Sequence, residues 1–496
     1  MNANMSEEHK MKTEEDGTEL GRAPTVQEGD TIPRRISVQD AVFGTITNDG
    51  PNYRNVGWLG TVALMMKTQI GLGVLSIPAV FDVLGLIPGV ICLLVIAAIT
   101  TWSDYMVGMF KLRHRDVYSI DDAGALMFGK TGRYILGSAF ILCRWPLRLN
   151  RGVDIILTTR VDWAFVAGSG MLGISIGLNA VSTHGACTAI FVAVAALAGF
   201  LLGSIQTLGR ISWLAWLGLT CILTAIFTVT IAVGVQDRPT AAPQEGPWSS
   251  DYKLFNNPSF ADASAALSSL VFAYAGTPGF FAIVSEMRDP RHYTRSLLIC
   301  QSGVTAVYMS IRVVVYYFCG SYVASPALGS AGHLMKKISY GFALPGLLVT
   351  TTLVIHVPSK YLFVRILRGS VHLSTPTFVH WATWFSCTLG ITITAFIIAS
   401  TIPVFGGLVS LIGALLGTLL SFQPMGCMWL YDNWKKDKAE RSTKWLLMVG
   451  FSVFVVVIGT FLMVVGTYGS IVGIIDSYKE SGGSAAFSCA DNSNSV

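Results

Sequence analysis

The chain has 496 residues, of which 52% are hydrophobic and only 13% charged, with 34 Lys and Arg against 29 Asp and Glu, and a mean hydropathy of +0.57. Soluble domains carry about 25% charged residues, so there is too little polar surface here to face water on every side. The net charge of +5 is small for this length and implies no nucleic-acid partner.

Residues 1–57 are polar, with ten acidic and six basic side chains and no leader pattern; they read as a disordered cytoplasmic tail. Apolar runs of about 20 residues follow, each long enough to cross roughly 30 Å of hydrocarbon as a helix. They predict spans over 58–82, 85–107, 186–205, 211–235, 262–286, 296–319, 340–364, 380–402, 404–431 and 444–468, with 469–496 as an extracytoplasmic tail. The expectation is an all-α polytopic membrane protein in the lipid bilayer, with a transporter domain over 58–468. The nine cysteines are odd in number, scattered and mostly within apolar runs; they read as small core residues and not as a disulfide framework.

Region 134–181 is irregular. Tyr134 to Cys143 is apolar but ten residues long, Trp163 to Val181 is apolar again, and 144–162 between them carries Arg144, Arg148, Arg151 and Arg160. Each such charge costs about 2.5–3.5 kcal/mol at the bilayer centre. Two readings of 144–162 stand: an insertion such as a retained intron within the third helix, and a genuine half-helix and loop at a membrane surface. One crossing here makes about 11 transmembrane helices. Loop charge agrees: with the N-terminus cytoplasmic, the inner loops hold seventeen Lys or Arg and the outer segments five, the sense of the positive-inside rule.

The first span contains Lys67-Thr-Gln-Ile-Gly71-Leu-Gly73-Val-Leu-Ser76-Ile-Pro78. Two glycines and a proline within eight residues weaken a helix at mid-membrane depth. A break there frees backbone amides, which at the start of the following half-helix point at an anionic group such as a substrate carboxylate. The bland reading is close helix packing, as for Gly85-xxx-Gly89, Gly173-xxx-Gly177 and Gly413-xxx-Gly417. The sixth span has a second interruption, Phe272-Ala-Tyr274-Ala-Gly276-Thr277-Pro278-Gly279-Phe280-Phe281. These two spans lead two five-span halves, and an odd number of spans per half inverts the second relative to the first. Paired interruptions at corresponding positions point to a midplane binding site.

The Gly71–Pro78 motif, the Ala275-Gly-Thr-Pro278 break and the layout resemble the amino acid/auxin permease family, most closely its fungal neutral amino acid permeases, over most of residues 50–470. The resemblance implies two inverted five-helix repeats (LeuT-like, APC-type) plus one extra helix, with the third helix continuous and facing the site. It implies a substrate carboxylate on first-span amides near Gly71 and Gly73, and an α-amino group on carbonyls of the broken segments. It also implies symport, with H+ the usual coupling ion of fungal relatives. Substrate-binding candidates are therefore Thr68, Gly71, Leu72, Gly73, Ser76, Phe272, Tyr274, Ala275, Gly276 and Thr277.

Lys67 and Glu286 are candidates for coupling. Lys67 either replaces a metal ion by gaining and losing a proton or snorkels to the cytoplasmic interface; Glu286 either carries a proton or pairs with Arg288 or Arg291. Arg312 needs a carbonyl or acidic partner, His356 and Ser359 beside Pro358 read as core residues, and Tyr274, Phe280 and Phe281 offer a side-chain pocket or gate. The eight histidines are dispersed and no carboxylate pair or metal spacing lies within the spans, which argues against a membrane-embedded enzyme and implies no cofactor. Paired breaks argue against a continuous channel. The expected activity is import of neutral aliphatic or aromatic amino acids by proton symport at the plasma membrane, with sodium coupling or a vacuolar site as alternatives. Gly73→Leu is expected to abolish transport with normal folding.

Overall fold

The computed structural model describes residues 38–40, 44–46, 53–139, 161–239, 241–402, 405–435, 441–480 and 487–493. A short antiparallel ribbon, β1 (Val38–Asp40) and β2 (Gly44–Ile46), precedes a helical body. In chain order the helices are α1 (Trp58–Gln69), α2 (Leu72–Leu84), α3 (Leu86–Arg113), α4 (Ile120–Ala139), α5 (Val161–Ser182), α6 (Thr188–Gly203) and α7 (Leu208–Val235). They continue with α8 (Phe260–Tyr274), α9 (Thr277–Glu286), α10 (Tyr293–Cys319), α11 (His333–Leu367) and α12 (Phe378–Thr401). The last are α13 (Phe405–Ile412), α14 (Thr418–Ser421), α15 (Gln423–Asn433) and α16 (Thr443–Glu480). Among the described residues nine helical stretches are long and apolar enough to cross a membrane. The broken pair α1–α2 and the 16-residue α6 are further apolar elements.

Both expected interruptions are present. α1 ends where Ile70 leaves helical geometry and Gly71 adopts an extended φ of −165° with ψ −100°, and α2 starts immediately after. α8 begins on a Ser259 cap that accepts a hydrogen bond from the Asp262 amide and stops at Ala275, after which Gly276 leads into α9 with Pro278 in its first turn. Proline is tolerated there because the amide it lacks is one the helix start leaves unused. The turn from α2 to α3 needs glycine: Gly85 has φ +84°, and a Cβ would lie 2.7 Å from the Asn256 amide nitrogen. α11 runs through the centre, packed on α5, α6, α7 and α12, while α8 packs on α2, α13 and α16.

Three expectations are corrected. Cys187 and Cys489, 302 residues apart, form a disulfide; scattered positions in sequence carried no sign of that pairing. The N-terminal polar stretch is ordered before residue 58, since Tyr53 and Val56 are buried and Val56 bridges to Met287 in parallel. At the other end α16 continues to Glu480, so the segment expected as a tail begins as helix over 469–480. Residues 140–160, most of the irregular stretch, lie outside the described residues, but α5 has 22 residues of its own, about 33 Å at 1.5 Å per residue, and spans without the 134–143 run.

Candidate functional site

The two breaks lie side by side. A Cβ on Gly73 would fall 2.5 Å from the Ala273 Cα, and one on Gly71 would fall 2.6 Å from the Thr350 hydroxyl of α11. Gly71 and Gly73 therefore serve both readings of the motif: they interrupt the helix and let α2 approach α8 and α11. Gly73→Leu cannot keep normal folding, because the nearest atom is backbone and cannot swing away; that expectation is corrected. The Tyr308 hydroxyl on α10 sits 2.8 Å from both the Gln69 and Ala273 carbonyl oxygens, so its single O–H donates to either break.

Between the breaks lies a central cavity of about 30 Å³. Its walls are Thr68, Gln69 and Gly73 of the first span, Phe272, Ala275, Gly276 and Pro278 of the sixth, Trp163 and Val166 of α5, Thr350 and Val354 of α11, and Ile412, Leu416 and Gly417 of the tenth. Among the described residues no lining side chain is ionisable. The volume holds a water or two and is too small for an amino acid, so the walls must part to admit one.

Of the sequence candidates, Thr68, Gly73, Phe272, Ala275 and Gly276 line the cavity. Gly71 borders it through Thr350, and Thr277 starts α9 behind it. The backbones of Leu72 and Ser76 lie in α2; their side chains are outside the described set. Tyr274 turns away: its hydroxyl meets Thr305 at 3.1 Å and its ring packs edge-on against Tyr308. Phe280 and Phe281 are buried but do not line the cavity. Gln69 is a candidate site residue that sequence reasoning missed: it is 2% exposed, and neither its amide oxygen nor its nitrogen has a hydrogen-bond partner among the described residues. A polar residue between an apolar run and Gly71 was the available signal. Trp163 was hidden by the Arg-rich stretch before it. Gly417 read as packing and does pack, its Cβ position meeting Val271 and Ala275, yet it also walls the cavity.

Beyond Phe272 and Ile412 a basin of about 610 Å³ opens toward the Cys187 face. α2, α8 and α13 line the basin with Val80, Ser269 and Ser410, and line the cavity, or lie against it, with Gly73, Phe272 and Ile412. The same three helices thus wall both spaces, with Phe272 and Ile412 on the cavity side. Residues of 487–492 form part of the basin rim.

The opposite face is locked. Glu286, ending α9, forms a buried ion pair with Lys360 of α11, both 1% exposed, and also accepts the Leu208 amide at 3.2 Å. This replaces the expected pairing with Arg288 or Arg291; Arg288 instead reaches Asn55. Lys360 also donates to the Gln206 carbonyl at 3.2 Å and lies 4.5 Å from the Tyr53 ring centroid. Burial, and then the Glu286 carboxylate, push the Tyr53 phenol above its ordinary range, so it remains a neutral donor toward the Leu373 carbonyl. The Val56 amide donates to Glu286 O at 3.1 Å and the Arg288 amide to Val56 O at 2.8 Å.

Lys67 does not snorkel. It is fully buried and its Nζ donates to the Ile70 carbonyl at 3.0 Å, so its ammonium sits at the break itself. Arg312 is also buried; its guanidinium lies 4.7 Å over the Tyr308 ring and its three nitrogens have no hydrogen-bond partner among the described residues, so the anticipated carbonyl or acid is not there. His356 packs edge-on against Trp384.

The pattern of a family described as transmembrane amino acid transporter protein matches residues 54–472. A transmembrane transporter of Gibberella moniliformis is 31% identical over 450 residues, 90% of each chain. The N amino acid transport system protein of Neurospora crassa is 30% identical over 443 residues, 88% of this chain and 89% of its own. Among solved structures, a Na+-coupled sialic acid symporter in a substrate-bound outward-open state superposes with a TM-score of 0.51 at 11% identity, covering 86% of this chain and 92% of the symporter. At that identity the likeness is one of fold, the LeuT type with two inverted repeats. With broken helices at the centre of that fold and a family match over most of its length, the chain is a multi-pass integral membrane protein of the transmembrane amino acid transporter family, the amino acid/auxin permeases.

Proposed function

We propose that this transporter imports neutral amino acids, aliphatic or aromatic, by proton symport with alternating access at the plasma membrane. The observation that carries the substrate class is that, among the described residues, every side chain lining the central cavity is non-ionisable. A zwitterion's own charges are met by the broken helices: its carboxylate by the first-turn amides of α2, where the macrodipole is positive, and its ammonium by carbonyls ending α1 and α8. Gln69 supplies a buried amide for either group. The remaining wall of Phe272, Val166, Val354, Ile412 and Leu416 suits an uncharged side chain.

Coupling to protons is supported by Lys67. Its Nζ occupies the Ile70 carbonyl, an oxygen freed by the break that a bound metal cation would otherwise take. Orientation is supported by the Cys187–Cys489 disulfide, since disulfides persist in an oxidising exterior, and by the Lys and Arg excess of the loops on the other face. We count eleven crossings on this reading, the broken pair α1–α2 and α6 included, with the N-terminus cytoplasmic. The basin then faces outward and the Glu286–Lys360 lock faces the cytoplasm.

The test is labelled leucine uptake by amino-acid-uptake-deficient cells, at acid and neutral pH, with and without an uncoupler and with sodium replaced. Uptake that phenylalanine competes and lysine or glutamate does not, and that the uncoupler abolishes, is expected. Equal competition by lysine or glutamate overturns the substrate class. Uptake insensitive to the uncoupler but lost with sodium overturns proton coupling.

A further inference from the structure

Asp104 lies in α3, 18 residues past Leu86 and nine before Arg113, about 13 Å of helix from the Arg113 end. It is fully buried. One carboxyl oxygen accepts a hydrogen bond from the Gln301 side-chain amide, and the other, Oδ1, has no hydrogen bond of ordinary geometry among the described residues. The Tyr293 hydroxyl donates to the Asp104 backbone carbonyl at 2.8 Å, not to its carboxyl group.

Among the described residues no cation is placed against this acid: of the two arginines of α10, Arg295 lies over the Trp58 ring and Arg312 over the Tyr308 ring. From α10 the Tyr293 phenol and Cys300 thiol face it; from α9 Thr277 lies beside it, its hydroxyl without a hydrogen bond of ordinary geometry. The acidic residue of α9, Glu286, is held by Lys360. That of α15, Asp432, is bound by Arg113 and His114, and that of α8, Asp262, sits at its far end on Ser259. α14 carries no charge, α2 carries only Asp82 near its far end, and Arg291 and His292 of the Pro290–His292 turn are exposed. A carboxyl group at membrane depth without a counter-charge is stable only in company that a proton can provide. Thr277 joins it to the substrate: it opens the same half-helix whose Pro278 walls the cavity.

We propose that Asp104 is the site that takes up and releases the coupling proton, with Thr277 and α9 as its mechanical link to the substrate cavity. One H+ from the outer side binds Oδ1 as the amino acid binds. When α9 swings to open the inner face, water reaches the carboxyl group, the proton leaves to the cytoplasm, and Asp104 returns with its charge met by that water. This rests on the proton-symport reading, which wild-type uptake tests separately: a wild-type chain driven by sodium alone removes that reading whatever Asp104 does.

The experiment uses the full chain in proteoliposomes, comparing wild type with Asp104→Asn and Asp104→Glu. Two readouts are taken, leucine accumulation driven by an imposed pH gradient and leucine counterflow at equal pH, which needs no net proton movement. Asp104→Asn keeps the Gln301 hydrogen bond but cannot titrate. Its gradient-driven accumulation is expected to fall at least tenfold while counterflow stays above protein-free background and loses its pH dependence. Asp104→Glu is expected to retain accumulation with a displaced pH profile. Wild-type accumulation and pH profile in Asp104→Asn overturn the proposal, as does equal loss of accumulation and counterflow in both variants, which marks a structural role. Should Asp104→Asn fail to reconstitute as a monodisperse protein, Asp104→Glu decides alone: a displaced profile supports the site and an unchanged one overturns it.

Discussion

Lys360→Met removes the cation from the inner lock while keeping a stem of similar length. Glu286 is then a carboxylate at 1% exposure whose remaining hydrogen bond is the Leu208 amide at 3.2 Å. Breaking a buried pair from one side costs about 3–5 kcal/mol, and full burial leaves no reason to reduce that figure for solvent screening. Because Glu286 belongs to α9 and Lys360 to α11, the cost falls on the inner-closed conformation, where the two helices meet. The balance with the inward-open conformation should move by about two to three and a half powers of ten. Ser285→Cys, one residue before Glu286 and 2% exposed in the parent, reports the change through labelling by a membrane-impermeant maleimide applied to inside-out vesicles. Labelling should be slow in the Ser285→Cys background and fast once Lys360→Met is added. Adding Glu286→Gln removes the stranded charge and should restore slow labelling and most of the lost melting temperature. Labelling unaffected by Lys360→Met would refute this reasoning, as would a cycle in which the two substitutions interact by less than about 0.5 kcal/mol, the level expected of independent sites.

Three further outcomes follow from the geometry. Gln69→Leu deletes the unpartnered amide facing the cavity; the leucine KM should rise about tenfold, the equivalent of one lost hydrogen bond of about 1.4 kcal/mol, while the melting temperature holds or rises because no polar group is left stranded. Gly73→Ala forces a methyl toward the Ala273 backbone and should lower stability by about 1–3 kcal/mol together with transport, seen as a parallel loss in a thermal melt and in uptake. Cys489→Ser should release the 487–493 segment from α6 and lower stability by about 2–4 kcal/mol, with a mobility shift on reduction that the parent shows and the variant lacks on a non-reducing gel.

Span positions and both breaks were legible because each rests on local chemistry: apolar runs of the right length, and Gly or Pro where a helix must stop. The site was legible as far as it is built from those breaks, which is why Thr68, Gly73, Phe272, Ala275 and Gly276 were within reach. What escaped is non-local. Trp163, Thr350 and Leu416 meet the breaks only through helix packing, and nothing in their own sequence surroundings marks them. Glu286 had Arg288 and Arg291 close in sequence, yet its partner is Lys360, 74 residues away, because α9 ends with that side chain turned into the protein while Arg288 lies exposed. The disulfide is the extreme case, since its cysteines are brought together by the return of the chain after α16 onto the start of α6. Tyr274 was nearest the break in sequence, but one helical step of about 100° separates it from Ala275, and that step turns it to Thr305.

The two faces are held by unlike chemistry, and this difference sets how the cycle can run. Toward the basin the cavity wall includes Phe272 and Ile412, apolar groups that a side-chain rotation or a small helix shift can move. On the other side α9 is tied to α11, to the start of α7 and to the Tyr53–Val56 segment by an ion pair and backbone hydrogen bonds, which must all part together. On the proposed reading, parting this face is the step that draws on the free energy of substrate and proton binding, with α9 as the shared element, Pro278 at the cavity and Thr277 beside Asp104. The 487–493 segment hydrogen-bonds to α5, α6, α11 and α12 through Asn492, Ala490, Ser493 and Phe487. None of those helices carries a break. The rim of the basin is thereby tied to helices other than the broken α1–α2 and α8–α9 pairs.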